Sequence, residues 1–311
     1  MSPDGFAFPA CNNNSCSAWA SISTTKWLMN AAVWWDSIAL LSGEGKIPSG
    51  AVGGAGLSKS PIALPEQISS KVPSIARKFA YCLPSSPSNS GVIFFGNGPY
   101  VFQPGIELST FLRYTPLVSF SKEADSYLIN VISISVGGVI LPINGSMLKI
   151  HRDKASRSYV GGTRFSSSVP YTLLAPSIYG ALISEFRKAA IAQGMKLVGP
   201  VSPFGLCFDA STMKSTRLGY NVPLIEIALK GEGKSKKETW QIYGANSVVR
   251  LSDQVYCLAF QTTDQYESRS IVIGTYQQKD AFFEFDLQAD RLGFISSLLG
   301  LRTTCSNFKF V

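Results

Sequence analysis

The sequence predicts an all-β fold, either a sandwich or a barrel. Short runs rich in β-branched and aromatic residues recur between residues 79 and 287, and clusters of glycine, proline, asparagine or serine separate them. Helical signals are few, and no repeat period typical of a solenoid is visible. Many short strands with few helices are typical of sandwiches and barrels, so the chain is expected to form one of these.

Each expected element follows from the local pattern of residues. A helix begins at Pro176, because Leu182, Ile183 and Phe186 follow at helical spacing. A shorter helix is expected at Pro65–Ser70. Strands are expected at Phe79–Leu83, Val92–Phe95, Arg113–Leu117, Ser126–Val136, Gly138–Ile143, Pro223–Leu229, Thr239–Tyr243, Val248–Leu251, Val255–Phe260, Ile271–Gly274 and Ala281–Leu287.

The composition limits the class of protein. With 311 residues, 45% of them hydrophobic, the chain can bury a substantial core in one large domain or two lobes. Charged residues amount to 15%, which is low for a cytosolic enzyme and common in secreted proteins. The net charge of +8 indicates either soluble surface lysines or an acidic partner, such as a cell-wall polysaccharide or the acidic cleft of another protein. No nucleic-acid motif is present, and no apolar run is long enough to span a membrane.

The six cysteines indicate an oxidising compartment. Cys11 and Cys16 have a poor spacing for zinc, and the single histidine, His151, is far from them, so no metal site is expected. A disulfide framework is the better interpretation. The glycines around residue 54 lack the Lys-Ser/Thr of a phosphate loop, so no cofactor is expected. Residues 1–6 do not have the pattern of a signal peptide, and we expect that the N-terminus is incomplete.

One stretch organises the rest of the chain. Residues 161–168, Gly-Gly-Thr-Arg-Phe-Ser-Ser-Ser, combine a glycine entry, a short strand and a small-residue loop before the helix at Pro176. This stretch resembles the pepsin-like aspartic peptidases, in which a Gly-Gly-Thr strand leads into an Asp-Ser/Thr-Gly-Thr loop. In that family the loop carries the second catalytic aspartate, and Ser166 stands at its position here. The resemblance implies a pepsin-like barrel whose catalytic chemistry has been removed.

Further stretches narrow the resemblance to a plant subgroup. They are Ile271–Tyr276, Phe283–Asp286 and Arg291–Phe294, and the more specific Phe79–Pro84, Gly91–Tyr100, Ser202–Phe208, Arg302–Phe308 and Cys11–Cys16. Together they resemble the extracellular dermal glycoproteins, the basic seven-S globulins and the related xylanase inhibitors. The resemblance implies an apoplastic location and three disulfides, Cys82–Cys305, Cys207–Cys257 and Cys11–Cys16.

The N-terminal lobe is expected to be partial. The subgroup normally has a glycine-rich strand with the first aspartate position and a hairpin flap, and neither is found here. No Asp-Thr-Gly or Asp-Ser-Gly occurs in the sequence. We therefore expect a truncated N-terminal lobe over residues 1–110 and a nearly complete C-terminal lobe over residues 111–311.

Catalysis is not expected. Aspartic proteolysis needs two carboxylates that share one proton, and a serine at position 166 cannot take part in this. A serine nucleophile would need an imidazole base. The only histidine, His151, precedes a charged loop without an evident orienting partner and is expected on the surface.

Two arginines are the candidate binding residues. Glycoside hydrolases carry a pair of carboxylates in an open cleft, which an arginine on a rigid loop can enter and bind. The inhibitor relatives present such loops, and Arg217 and Arg302 lie on the matching segments. In the xylanase-inhibiting branch a histidine precedes the last cysteine by four residues. Leu301 occupies that position here, so a microbial xyloglucan endoglucanase is a better expected target than a xylanase.

The resemblance leaves other functions open. The protein could be a storage or defence glycoprotein that binds a peptide, or it could bind acidic polysaccharide, and both arginines would then be ordinary surface residues. Aspartic endopeptidase activity is a further alternative. Asn13 and Asn144 lie in N-glycosylation sequons, which matter only if the chain is secreted.

Overall fold

A computed structural model describes residues 56–308, except 62, 87, 119–125, 155–156, 234–236 and 265–266. Before residue 56 it describes the backbone of three strands: β1 Cys11–Asn12, β2 Ser15–Ser21 and β3 Leu28–Val33. These strands form an antiparallel sheet in the order β1-β2-β3.

The remaining strands are mostly short. They are β4 Lys78–Cys82, β5 Val92–Phe95, β6 Val101–Phe102, β7 Ile106–Glu107, β8 Arg113–Val118, β9 Leu128–Ile129, β10 Val131–Val136, β11 Val139–Ile140, β12 His151–Arg152, β13 Tyr159–Val160, β14 Thr163–Phe165, β15 Thr172–Leu174, β16 Leu197–Val198, β17 Cys207–Asp209, β18 Ser215–Thr216, β19 Gly219–Tyr220, β20 Ile225–Lys230, β21 Lys237–Ile242, β22 Val248–Arg250, β23 Val255–Leu258, β24 Phe260–Thr262, β25 Ile271–Ile273, β26 Phe282–Asp286 and β27 Arg291–Ile295.

Helices are few, as the sequence predicts. They are α1 Leu64–Lys71, α2 Pro176–Ala192, α3 Gly244–Ser247 and α4 Thr275–Gln278, with 3-10 turns at Leu108–Phe111, Ala210–Thr212, Leu298–Leu301 and Cys305–Asn307. In α2, Ile178, Leu182 and Phe186 recur at helical spacing and are fully buried in the main core. None of the helices in the described part of the chain has the length and apolar character needed to cross a bilayer.

A ten-stranded sheet is the centre of the molecule, in the order β24-β15-β25-β14-β9-β8-β27-β26-β4-β5. Two four-stranded sheets, β11-β10-β20-β21 and β16-β17-β23-β22, accompany it. Strand β26 pairs with β4, and β27 pairs with β8, both antiparallel. The central sheet therefore continues across the boundary expected between residues 110 and 111, and the two segments share it.

Strand β26 shows how the central sheet separates two cores. Phe283 and Phe285 belong to the main core, whereas Phe282 packs in a second core beside Cys82 and Cys305. This alternation follows from the two-residue period of a strand, which turns successive side chains to opposite faces. The sequence Phe-Phe-Glu-Phe-Asp therefore builds two cores at once, with Glu284 on the same face as Phe282.

Two segments predicted as single strands are each divided between two sheets. The segment 126–136 breaks at Asn130, whose carbonyl accepts a hydrogen bond of 3.0 Å from the Lys230 N–H. The segment 255–260 breaks at Ala259, whose N–H donates to the Ser247 carbonyl at 2.8 Å. At both breaks the chain passes between the central sheet and a four-stranded sheet, so it turns a corner there.

Candidate functional site

The loop that carries Ser166 is held in the frame predicted from the sequence. Gly161 and Gly162 both have positive φ angles, 78° and 74°, and a Cβ at either position would clash with residues 149–150. Strand β14 follows and pairs in parallel with β25. The two glycines thus turn the chain into the centre of the ten-stranded sheet, where β14 ends directly before Ser166.

Ser166 is buried, with 7% of its surface exposed. Its N–H donates to the Ile273 carbonyl at 3.0 Å, and its carbonyl accepts from Gln278 Nε2 at 3.0 Å. Its hydroxyl lies 3.2 Å from the Ser168 hydroxyl and accepts a 3.3 Å hydrogen bond from the Ser168 N–H. These are the contacts of a side chain that stabilises its own loop.

No imidazole is available to activate Ser166. His151 is the only histidine in the sequence, and the structure places it on the exposed strand β12, where Nδ1 contacts the Lys149 carbonyl at 3.2 Å. Within the described residues, no group of three His, Cys, Asp or Glu side chains could hold a metal ion. The loop therefore offers a hydroxyl without a general base beside it.

Two buried glutamines, Gln277 and Gln278, fix this loop. Neither was predicted from the sequence. Gln277 Oε1 accepts from both the Thr172 N–H, at 2.9 Å, and the Thr172 hydroxyl, at 2.8 Å. Its Nε2 donates to the carbonyls of Asn246 and Ala259. Gln278 and Gln277 are both 1% exposed. Two adjacent glutamines shortly after an apolar strand are the sequence signal that could have identified them. Amide side chains that are buried beside such a strand are normally hydrogen-bonded.

Arg217 lies at the tip of the β18–β19 hairpin and is exposed. The Thr216 hydroxyl donates to the Gly219 carbonyl at 2.6 Å and accepts from the Leu218 N–H at 3.1 Å. Gly219 has a φ of 91°, and a Cβ there would overlap Ala245. The Ala245 N–H in turn donates to the Leu218 carbonyl at 2.9 Å. The hairpin is therefore closed internally and fixed against α3.

Arg302 ends the 3-10 turn Leu298–Leu301 and is also exposed. Its backbone is left-handed, with a φ of 60°. The following residue, Thr303, is buried, and its hydroxyl donates to the Gln103 carbonyl at 2.8 Å. Leu301 packs against the second core. The position that carries a histidine in the xylanase-inhibiting branch is thus occupied by a core contact.

The structure brings the two arginine segments together. A Cβ built on Gly300 would lie 3.9 Å from Leu218 Cδ2, so the turn before Arg302 lies beside the residue that follows Arg217. In the part of the chain that the structure describes, neither guanidinium group forms an ion pair. We name Ser215–Tyr220 and Leu298–Thr303 the arginine loops. The two loops thus carry two exposed arginines on neighbouring segments.

Two disulfides lie in the described residues, Cys82–Cys305 and Cys207–Cys257. The first joins β4 to the segment directly after Arg302, with 5.2 Å between the Cα atoms. For the pair expected between Cys11 and Cys16, the backbones are register partners of β1 and β2, and the side chains lie outside the described residues. Asn13 also lies outside them. Asn144 is exposed in a turn.

A buried ionic network lies on the face of the central sheet that carries Glu284, which is 3% exposed. Its carboxylate accepts from the Tyr100 hydroxyl at 2.8 Å and from the Tyr114 hydroxyl at 3.2 Å, and pairs with Lys78 at 3.3 Å. Lys78 also pairs with Asp286 at 3.2 Å. Every charge in this network has a partner, which is the condition under which buried charges are tolerated.

The network shifts the ionisation of its members. Burial would raise the pKa of Asp286, but hydrogen bonds from the Ala289 N–H and from Lys78 stabilise the carboxylate more, so its pKa lies below the ordinary 3.8. Burial, together with the Glu284 carboxylate, raises the pKa of Tyr114 to about 12. Asp286 therefore stays ionised to lower pH, and Tyr114 stays neutral to higher pH, than the free side chains.

The chain is similar in sequence to a family of known proteins. The family model for the xylanase inhibitor C-terminal domain matches residues 126–296, and that for the N-terminal domain matches residues 37–97. The chain is 37% identical to probable aspartic proteinase GIP2 of Nicotiana benthamiana, over 97% of this chain and 74% of that protein. It is 39% identical to gamma conglutin 1 of Prunus dulcis, over 85% of this chain and 57% of that protein. It is 35% identical to chitinase CLP of Oryza sativa subsp. japonica, over 85% of this chain and 60% of that protein.

Solved structures show the same architecture. The crystal structure of EDGP has 36% sequence identity and a TM-score of 0.82, covering 97% of this chain and 79% of that chain. The crystal structure of basic 7S globulin from soybean, at 23% identity and a TM-score of 0.71, covers 98% of this chain and 79% of that chain and is similar in fold. The chain, whose Ser166 loop and paired sheets have the pepsin-like arrangement, therefore belongs to the xylanase inhibitor family of pepsin-like proteins.

Proposed function

We propose that this protein is a non-catalytic inhibitor of microbial glycoside hydrolases, with Arg217 and Arg302 as the residues that enter the acidic cleft of the enzyme. The observation that carries the proposal is the adjacency of the two arginine loops, which present two exposed guanidinium groups from rigid backbones. Glycoside hydrolases place two carboxylates about 5–10 Å apart in an open cleft, and arginine can bind a carboxylate through two parallel hydrogen bonds.

The anchoring of the loops supports this role energetically. Binding orders flexible side chains and loops at a cost, and a loop already fixed in its bound shape avoids part of that cost. The Arg217 hairpin is fixed by Thr216 and by α3, and the Arg302 turn is followed at once by buried Thr303 and the disulfide at Cys305. The two cations are thus carried by neighbouring, anchored segments, which favours a partner with a matching pair of anions.

The absence of catalysis is part of the proposal. Ser166 replaces the aspartate of the second catalytic loop, and its hydroxyl is hydrogen-bonded to Ser168. One relative is named an aspartic proteinase and another a chitinase, so both activities are tested directly. We expect no digestion of a denatured protein at acid pH and no hydrolysis of chitin. Acid proteolysis that a pepstatin-type inhibitor blocks would overturn this part.

The xyloglucan endoglucanase type is the preferred target. Leu301 packs in the second core and offers no imidazole to a xylanase. The chain spans 74%, 57% and 60% of the length of the three curated relatives named above. Extracellular location and the division into lobes between residues 110 and 111 belong to the same proposal. The two described disulfides, one of which would join the two lobes, support an oxidising compartment.

The test is a panel of fungal xyloglucan endoglucanases and xylanases titrated with the purified protein. The expected result is inhibition of at least one xyloglucan endoglucanase, with weaker or no inhibition of the xylanases. The variants Arg217→Ala and Arg302→Ala are compared with Arg187→Ala, an exposed arginine on α2. Folded protein that inhibits no enzyme of the panel would favour the storage or peptide-binding function.

A further inference from the structure

A basic hairpin lies apart from the residues used above. From Lys149 to Val160 the chain has four basic side chains, Lys149, Arg152, Lys154 and Arg157, and one carboxylate, Asp153, a net charge of +3 out of +8 for the whole chain. The four basic residues are exposed. Strands β12 and β13 form the base of the hairpin. More than a third of the net charge is thus concentrated in one short two-stranded arm.

Two arginine side chains donate hydrogen bonds to the backbone of this arm, next to one exposed aromatic residue. Arg152 is the direct cross-strand partner of Tyr159. Arg152 Nε donates to the Arg157 carbonyl at 3.1 Å, which joins the Arg152 side chain to the backbone of Arg157. From a neighbouring segment, Arg269 Nη1 donates to the Tyr159 carbonyl at 3.1 Å. Tyr159 remains 38% exposed, so the arm presents a phenol ring as well as exposed basic side chains.

The base of the hairpin is fixed, and Glu267, two residues from Arg269, is engaged in an ion pair. The Asp153 N–H donates to the Ser158 carbonyl at 2.8 Å, closing the hairpin. Gly161, at its end, approaches the Lys149 carbonyl so closely that a Cβ would lie 2.5 Å away. Glu267 pairs with Arg164 at 2.9 Å. Within the described residues no ion pair is formed by the four basic side chains of the arm.

We propose that this hairpin binds a polyuronate, a polysaccharide with a carboxylate on each sugar. Arginine forks match carboxylates better than lysine ammonium groups do, and two of the four cations of the arm are arginines. The ring of Tyr159 provides an apolar face with a polar tip beside them, which suits a sugar ring that carries a charge. A polymer with regularly repeated anions can contact several of these cations at once. The proposal does not depend on inhibition through Arg217 and Arg302.

The experiment measures binding to immobilised polygalacturonate, with fully methyl-esterified polygalacturonate as the uncharged version of the same backbone. The test variant is Arg152→Gln/Arg157→Gln, and the matched control is Arg187→Gln/Lys188→Gln on α2, which removes the same charge from another exposed surface. We expect that the test variant lowers the affinity about tenfold and that the control changes it less than about twofold. Thermal unfolding of both variants establishes that each is folded.

Three results would overturn the proposal. The first is an equal loss of affinity in the test and control variants, since binding would then follow net charge alone. The second is undiminished binding to the methyl ester. The third is that the protein binds single-stranded DNA as tightly as polygalacturonate and that the test variant loses this binding too. The arm would then be a general polyanion site. Inhibition of a hydrolase is expected to be unchanged in Arg152→Gln/Arg157→Gln, so failure here and failure of the inhibitor proposal are distinguishable.

Discussion

Asp280 Oδ1 accepts a hydrogen bond of 2.9 Å from the backbone N–H of Cys305. The same residue donates its N–H to the Leu83 carbonyl at 2.9 Å and accepts from the Leu298 N–H at 2.7 Å. It is 3% exposed and has a φ of 47°. One buried residue thus links the segments on both sides of Arg302 to the end of β4.

Replacing Asp280 by alanine is expected to lower the free energy of unfolding by about 2–4 kcal/mol. The Cys305 N–H would lose its buried acceptor, which costs about 1–3 kcal/mol, and alanine is strained at a positive φ by about 1 kcal/mol. Asp280→Asn keeps an acceptor oxygen and tolerates this backbone, so it should cost clearly less. Urea unfolding measures both variants. Equal losses for alanine and asparagine would show that the hydrogen bond does not stabilise the turn.

Substitution of the two arginines tests the proposed inhibitory contact. If each guanidinium is buried against a carboxylate in the complex, Arg217→Ala and Arg302→Ala should each weaken inhibition by about 2–5 kcal/mol. A peripheral arginine would change it by less than about 1 kcal/mol. Arg217→Lys and Arg302→Lys should also weaken inhibition, because an ammonium group cannot make the two-pronged contact. The inhibition constant is measured beside Arg187→Ala, and inhibition unchanged in both alanine variants would exclude this mechanism.

The two described disulfides should differ in their effect on stability. The Cys82–Cys305 bridge closes a separation of 223 residues and the Cys207–Cys257 bridge one of 50. Loop entropy in the unfolded chain gives upper values of about 5 and about 4 kcal/mol, respectively. Paired alanine variants, Cys82→Ala/Cys305→Ala and Cys207→Ala/Cys257→Ala, are compared by urea unfolding. We expect the first to lose more stability and also to lose inhibition, because the turn that carries Arg302 is released. A larger loss for the second pair would contradict the entropic argument.

Acid pH should destabilise the protein through Asp286. Its pKa is depressed in the folded state, so the stabilisation is present above its ordinary pKa of 3.8 and is lost as the pH falls through the lower folded value. Asp286→Asn removes this titration and should flatten the pH dependence of the unfolding free energy below about pH 4. The measurement is urea unfolding between about pH 2 and pH 6. An equally steep acid limb in wild type and variant would assign the effect to other carboxylates.

Asn144 is expected to carry an N-linked glycan when the chain passes through a secretory pathway. Asn144 is exposed, and its Oδ1 accepts from the Ser146 N–H at 3.0 Å and the Ser146 hydroxyl at 2.9 Å, so both sequon residues are accessible in one turn. Ser146→Ala should abolish the glycan, whereas Ser146→Thr should retain it. Mass spectrometry before and after enzymatic deglycosylation reads out the result. An unmodified Asn144 peptide from secreted wild-type protein would contradict the expectation.

The sequence predicted the elements that depend on neighbouring residues. The apolar spacing after Pro176 located α2, and the alternating runs located β4, β5 and β26 within a residue or two. The breaks at Asn130 and Ala259 could not be predicted, because both segments are apolar on either side of the break. They are determined by hydrogen bonds from Lys230 and to Ser247, which are distant in sequence.

For the candidate site, too, the local turn was predictable and the contacts between distant segments were not. The glycine turn before Ser166 follows from local sequence, since only glycine suits two successive positive φ angles beside other backbone. The contact between Leu218 and the Gly300 position joins segments about eighty residues apart, and nothing local in either segment indicates it. The same holds for Gln277, whose partners come from three separate segments of the chain.

The strand order of the central sheet has a consequence for biosynthesis. Strands β26 and β27 lie between β4 and β8, yet they are translated more than 160 residues after β8. While the ribosome is still adding those residues, β4 and β8 have unsatisfied hydrogen-bonding edges and no native neighbour between them. In a nascent chain, β4 therefore cannot be joined to β8 through the sheet until residues 282–295 have left the exit tunnel, and a product that stops short of them lacks the two strands that connect the two parts of its central sheet.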